Sequence, residues 1–429
     1  MGRDNSQPSA RFPTALGRDG SPSRPFANPH PHLAMPNGGL GEPRPTDPKT
    51  KRAAEAALIT PPCPRVTVST CPLAAPPHLP PVSRFLATLF LLPLSLLAAE
   101  RPSVGAIRWD AWSGGGVTEQ VEQTLSPEKY RARLPWFAKV DAAGRARINA
   151  SADGIMEQEI AYAKHAGLNY WAFLTYPESD AMSSALGRYL RSPKRTDLGF
   201  CLILHQTLSV PAARWPAERD RIIKLLQEPG YQKAGSRPLV FAFDLKTEHP
   251  TIKQRFAELK SAAKTAGVDP YFVYMGWNPA RDFKAHAADG FAAVSAYAHP
   301  GKEPVFAKYV DAFEQQAWAN ALATKTPYIP LVTTGWDKRP RQDHPVSWEK
   351  NPGYADQKTF PAAPTNAELT AHLGRALTFV QAHPDVCPAN TIIVYAWNEH
   401  DEGGWLCPTW TPSGQPDTSR LDAFRSILR

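Results

Sequence analysis

The sequence predicts a single (β/α)8 barrel over residues 100–429, preceded by a proline-rich stretch and a short apolar segment. Three observations point there. From residue 104 onward, eight short apolar runs alternate with amphipathic stretches, the pattern of a parallel sheet buried on both faces and joined by helical crossovers. Nearly every run is followed at once by an acidic, amide, imidazole or large aromatic residue, as the C-terminal rim of a barrel requires. No G-x-G-x-x-G or G-x-x-x-x-G-K-[ST] stretch follows any run, so the alternative of an open doubly wound sheet lacks its phosphate cradle.

Residues 1–99 hold 19 of the 45 prolines and show no sustained apolar period before Phe85, so residues 1–83 read as disordered. Arg84 then precedes an uncharged run, Phe85–Leu97, with Ala98, Ala99 and Glu100 after it. Thirteen residues is short for a stable membrane span and suits the apolar core of an export signal. The competing reading, a buried core helix, is disfavoured by Pro93 inside the run. Residues 84–99 are therefore expected to direct the protein to the periplasm or out of the cell. A true start downstream of Met1 would explain the position of the signal and would remove residues 1–83 from the mature chain. N-terminal sequencing of the exported protein should read a start within a few residues of Glu100. A mature chain retaining residues 60–80 would exclude this reading.

Residues 1–99 carry 10 Lys and Arg against 5 Asp and Glu, so only +3 of the formal net charge of +8 belongs to the barrel region. That gives no case for a nucleic-acid partner. Cys201, Cys387 and Cys407 follow the leader without a Cys-x-x-Cys pair or a ligand cluster, so no metal site is expected. Cys201 lies in an apolar run and reads as core. Cys387 and Cys407 flank the last run at opposite ends and would pair only if the loop doubled back.

The eight expected strands are Ala106–Trp109, Asn169–Thr175, Gly199–His205, Pro238–Phe243, Tyr271–Met275, Phe291–Ala296, Tyr328–Thr333 and Thr391–Trp397. Expected helices are Ser151–His165, ended by Gly167, then Ala217–Gln227, Thr251–Ala266, Val305–Ala323 and Asn366–Ala382, the last capped by Thr365. A weaker helix spans Ala181–Leu190 and a short one Arg281–Ala287.

Just past these runs come Asp110 and Trp112, then Tyr176 with Glu178, His205 with Gln206, Asp244, Trp277 with Asn278, Tyr297 with His299, and Trp336 with Asp337. Aromatic faces that pack on sugar C–H groups, beside polar groups for hydroxyls, are what a carbohydrate cleft needs. The expected substrate-binding set is Asp110, Trp112, Tyr176, His205, Asp244, Trp277, Asn278, Tyr297, Trp336, Asp337 and Asn398. Blander roles stand beside these. Trp112 or Trp277 alone would pack a loop, Asp244 would cap a turn, His205 would be a satisfied interior histidine, and Asp337 would hold Arg339 or Arg341.

The last run leads into Tyr395-Ala-Trp-Asn-Glu-His-Asp-Glu-Gly-Gly-Trp405. If the chain turns helically there, the three-residue spacing points Glu399 and Glu402 to one side. Two carboxyls sharing a cleft push their pKa values apart, giving one acid and one base at the same pH, the pair that glycoside hydrolysis requires. A solvated acidic loop would need neither the Trp397-Asn398 lead nor the glycines.

Trp397-Asn398-Glu399-His400-Asp401-Glu402-Gly403 resembles the aromatic-Asn-Glu-x-x-Glu-Gly motif after the last strand of glycoside hydrolase family 99 and the family-99-like domains. Gly335-Trp336-Asp337-Lys338-Arg339-Pro340-Arg341 is similar to a second stretch of the family-99-like domains. The resemblance implies a barrel enzyme, retaining and endo-α-mannosidase-like. It implies Glu399 as the base that deprotonates a sugar 2-hydroxyl and Glu402 as the acid/base on the leaving oxygen, without cofactor. Gly199–His205 and Thr175-Tyr176-Pro177 depart from the family pattern, which leaves the sugar and linkage open. The expected partner is an oligo- or polysaccharide, and the protein is expected to be a monomer. Two alternatives remain, a barrel that binds glycan without cleaving it and another carbohydrate-active enzyme such as a polysaccharide lyase. The carboxylate pair argues against the first, and the scarcity of Lys and Arg at the strand ends argues against the second.

Overall fold

The computed structural model describes residues 100–429; the export segment expected at residues 84–99 and the stretch before it lie outside the described residues. Eight parallel strands form the inner wall: β1 (Ser103–Arg108), β2 (Tyr170–Leu174), β3 (Gly199–Leu204), β4 (Arg237–Phe243), β5 (Tyr271–Met275), β6 (Ala293–Ser295), β7 (Leu331–Thr333) and β8 (Thr391–Tyr395). Each pairs with its sequence neighbours except across the β6–β7 seam, and β8 closes onto β1 with Ser103 opposite Thr391. The seam between β6 and β7 is joined just before β7. There the Val294 N–H donates to Pro327 O, and the Ile329 N–H donates to Val294 O, both at 2.9 Å. The architecture is a (β/α)8 barrel.

Among the described residues, ten helices surround it. These are α1 (Gly115–Leu125), α2 (Ile155–Ala166), α3 (Ser184–Arg191), α4 (Trp215–Leu226), α5 (Pro250–Thr265), α6 (Pro279–His286), α7 (Phe306–Thr324), α8 (Arg339–Asp343), α9 (Asn366–Ala382) and α10 (Ser419–Leu428). Local chemistry sets their ends. Thr365 and Glu368 form a capping box at α9, and Gly167, in the left-handed region at φ 87°, stops α2. The strands are apolar throughout because helices cover their outer face and side chains fill the interior; β2 and β8 are buried at every residue.

The eight expected strands are all present, with ends displaced by a few residues. Strand β8 stops at Tyr395, although the Trp397 N–H still donates to Ile107 O at 2.7 Å. Helices α1, α8 and α10 were not foreseen. The Gly114-Gly115-Gly116 run before α1 reads locally as loop, and α8 and α10 are short and follow proline- or glycine-bearing stretches. Cys201, Cys387 and Cys407 are free and buried; Cys387 precedes β8 while Cys407 lies beyond its far end. No helix among the described residues is long and apolar enough to cross a membrane.

Candidate active site

The segments after β7 and β8, which carry the two motifs, pack backbone to backbone at the C-terminal mouth of the barrel. The Asp337 N–H donates to Glu402 O at 2.6 Å. This approach requires glycine on both sides. A Cβ on Gly335 would lie 2.2 Å from Gly403 O, and one on Gly403 would lie 2.4 Å from Asp337 N. After β8 the chain forms a tight hairpin, with Asn398-Glu399 paired to Gly404-Trp405 around a 3-10 turn at His400–Glu402. That turn, tighter than an α-helix, sends both glutamates to one guanidinium.

Arg341, wholly buried at the start of the β7–β8 crossover, is the hub. Its Nε and Nη2 bind Asp401 at 2.7 and 3.1 Å. Its Nη1 donates to Glu349 at 2.9 Å and to Glu402 Oε1, while Nη2 lies 3.9 Å from Glu399 Oε2. The guanidinium lies 5.3 and 5.4 Å from the ring centres of Trp109 and Trp348, which meet each other edge-to-face. Lys338, also fully buried, bridges Glu349 (2.6 Å) and Glu402 (3.0 Å) and lies over the rings of Trp336 and Tyr354.

The two glutamates occupy different surroundings. Glu402 receives Lys338, Arg341 and the Tyr395 hydroxyl, the last at 2.5 Å on Oε2. Glu399 receives only the Tyr297 hydroxyl, at 2.5 Å on Oε1, and its Oε2 is buried without a hydrogen-bond partner. Burial, followed by the charge of Glu402, pushes the Glu399 carboxyl well above the usual range, against the pull of Arg341. Burial beside these carboxyls likewise raises the Tyr297 and Tyr395 phenols, so both remain hydrogen-bond donors. Glu349 goes the other way. Burial alone would raise it, but Lys338 and Arg341 outweigh burial and hold it down to about 2.

The structure brings part of the expected binding set to this centre. Tyr297 contacts Glu399 directly, and Phe243 stacks on Tyr297 at 4.4 Å. His205 stacks on Phe243 and meets Tyr176 edge-on, and the Tyr176 hydroxyl accepts from the Trp109 indole at 3.0 Å. Trp336 packs on Tyr395. Asp244 and Trp277 stand partly exposed on the β4–β5 side of the rim.

Other members are occupied by the scaffold. Asn398 clamps the backbone of Trp109, accepting from its N–H at 2.9 Å and donating to its carbonyl, which ties the end of β8 to the end of β1. Asp110 is buried and receives the Ala185 N–H and the Ser113 hydroxyl, anchoring α3. Trp112 is buried between Phe137 and His400, Asn278 caps α6 by accepting from Arg281 N at 2.9 Å, and Asp337 binds Arg133 and Arg339. Sequence reading missed Lys338, Glu349, Tyr354, Trp348 and Tyr395 as members of the centre, and saw Arg341 only as a partner for Asp337. Arg341 and Lys338 carried a signal, since they lie inside the second motif; Glu349 sits in an irregular loop that carries none. Among the described residues, no group of three or more His, Cys, Asp or Glu is arranged to hold a metal ion.

No family model and no curated protein sequence matches the chain. Among solved structures, it is similar to the family GH99 endo-alpha-mannosidase of Bacteroides thetaiotaomicron in complex with bis-tris propane. That match has 13% identity and a TM-score of 0.47, and covers 76% of this chain and 96% of that one. A second structure of the endo-alpha-mannosidase gives 13% identity and a TM-score of 0.46 over 75% of this chain and 97% of that one. A fungal beta-1,4-galactanase structure is similar at 13% identity and a TM-score of 0.39, covering 76% of this chain and 100% of that chain.

Proposed function

We propose that the barrel is a glycoside hydrolase whose working pair is Glu399 and Glu402. One observation carries the reading: two carboxyls in unlike surroundings face the two terminal nitrogens of one guanidinium at the mouth of the barrel. Cleaving a glycosidic bond needs a proton for the leaving oxygen and an anion against the positive charge that develops on the sugar. Glu399, whose carboxyl is favoured in its protonated form, fits the proton donor. Glu402, ion-paired with Lys338 and Arg341, fits the anionic partner. This order is the reverse of the one the family resemblance implies, because the donor is chosen here from the surroundings of each group. Retention and endo action on an α-mannoside come from the resemblance alone and belong to the proposal, as does export through residues 84–99.

A uronate lyase would need a cation free to neutralise the substrate carboxylate. Lys338 and Arg341 are instead matched by Glu349, Asp401 and Glu402, which leaves neither available. The test is to incubate the full chain with a panel of α- and β-linked glycans in H2¹⁸O and read the products by mass. Hydrolysis yields shortened sugars that carry the label at the new reducing end. An unsaturated product would make the protein a lyase, and binding without turnover would make it a recognition module.

Glu349 supplies a pH prediction. Its folded-state pKa is depressed, so its ion pairs stabilise the protein above the ordinary glutamate range and are lost as pH falls from 4.5 toward about 2. Glu349→Gln should therefore lower the Tm at neutral pH, with the gap to the parent narrowing below pH 4.5. Deleting this anion also leaves Lys338 and Arg341 less compensated, so the pH–rate profile should move to lower pH. A role confined to packing would lower activity without moving the profile.

A further inference from the structure

Arg420, at the second position of α10, reaches the hairpin that carries Glu399 and Glu402 from outside both motifs. We propose that Arg420 is a positioning residue. It holds the Asn398–Trp405 hairpin against the end of β7, so that Glu402 stays within reach of Lys338 and Arg341. The inference rests on the glycosidase reading and adds a residue to that site.

A single nitrogen makes the tie. Nη1 donates to Thr334 O at 3.1 Å and to Trp405 O at 2.9 Å, and its two hydrogens serve one carbonyl each. The guanidinium carbon lies 3.6 Å from the centre of the Trp405 ring, close enough to rest on the indole face. Both carbonyls belong to segments that build the site. Thr334 stands between β7 and the Gly335–Arg341 motif, and Trp405 closes the hairpin by pairing with Asn398, beside the Glu399–Gly404 pair. The two segments also meet directly, where the Thr334 N–H donates to Tyr395 O at 2.8 Å and the Asp337 N–H donates to Glu402 O. Arg420 restrains the closing end of the hairpin from a separate helix, which is anchored by the wholly buried Leu421 and Phe424.

Stability does not account for an arginine at this position. Among the described residues no carboxylate lies within ion-pair distance of it, and Asp417 acts on it only from further away. Desolvation, and then the charge of Arg133, pull its pKa below the usual arginine value. Arg133 is close by, with its own guanidinium 5.9 Å from the centre of the same Trp405 ring. A cation in the first turn of a helix also faces the positive end of the helix dipole. A neutral side chain of similar length would avoid all three costs and fill much of the same space. It could not donate to two carbonyls at once. Geometry and stability therefore part at this residue, and a neutral substitution separates them.

The test places Arg420→Met and Arg420→Lys in the full chain. It reads thermal unfolding, amide hydrogen exchange by mass, and turnover of whichever glycan the parent cleaves. Arg420→Met should keep or raise the parent Tm. Exchange should rise about tenfold in peptides covering 334–341 and 398–405 and stay parental in β2 and β5. Its kcat should fall about 10–10²-fold with KM unchanged, and Arg420→Lys, which keeps N–H donors, should recover part of both losses. Parental exchange in the two peptides overturns the tie. Exchange that rises throughout the barrel overturns it too, since Arg420 would then hold the fold at large. Parental kcat beside raised local exchange overturns the positioning role. Should Arg420→Met not fold, Arg420→Gln is read by the same criteria, and if neither folds the inference falls. Exchange needs no substrate, so the two readings fail separately. A parent that cleaves no glycan removes the hydrolase, while exchange raised only in the two peptides still upholds the tie.

Discussion

Glu399→Gln and Glu402→Gln should each fold and lose about 10²–10⁴ of the parent turnover, the usual consequence of deleting a general acid or base. Each substitution keeps side-chain size and removes a titratable group, so activity is separated from packing. The two losses should differ in kind. A substrate with a good leaving group needs no proton at the departing oxygen. If Glu399 delivers that proton, Glu399→Gln recovers on an activated aryl glycoside while Glu402→Gln stays slow on both substrates. The opposite pattern would restore the order the family resemblance implies. Near-parental turnover of either variant on a confirmed substrate would remove the pair altogether.

The raised pKa of Glu399 gives the same variant a second signature. In the folded parent this carboxyl keeps its proton while the unfolded chain releases it above about pH 4.5, so the parent loses stability as pH rises toward the folded-state pKa. Gln does not titrate. The Tm difference between Glu399→Gln and the parent should therefore shift in favour of the variant as pH rises from 4.5. A constant offset across that range would mean the Glu399 carboxyl is not held protonated.

How much of this was visible in the sequence depended on distance along the chain. Tyr271–Met275 and Asn366–Ala382 were bounded correctly, because a buried parallel strand and a capped amphipathic helix announce themselves within a few residues. Glu399 and Glu402 were legible for the same reason, being part of one short motif. The surroundings that tell them apart were not, since Lys338, Arg341 and Tyr297 reach the pair from other strand ends. Asn398 shows the limit of reading residue types at a rim. An amide there satisfies a sugar hydroxyl or a neighbouring backbone equally well, and the fold uses it to tie Trp109 to β8. Glu349 lies in a loop without period or motif, so nothing local marked it.

Arg108→Met should cost about 3–5 kcal/mol of stability, the range for removing one partner of a buried ion pair. Arg108 at the end of β1 and Glu159 on α2 are both buried and joined by two hydrogen bonds, at 3.0 and 2.8 Å. The guanidinium lies 4.5 Å from the Trp171 ring centre, and Glu159 also accepts from the Trp397 indole at 2.9 Å. Methionine fills much of the volume but leaves Glu159 as an uncompensated charge against the barrel wall. The loss should therefore be mostly electrostatic, and the pairing of Arg108→Met with Glu159→Gln tests that. The amide introduced by Glu159→Gln would still accept from Trp397 and carries no charge, so the double variant should recover most of the loss. Denaturant titration of the parent, the single variant and the double variant measures both steps. A single variant within about 1 kcal/mol of the parent, or a double variant no more stable than the single, would show that this pair is not what fixes α2 and Trp397 beneath the Asn398–Trp405 hairpin.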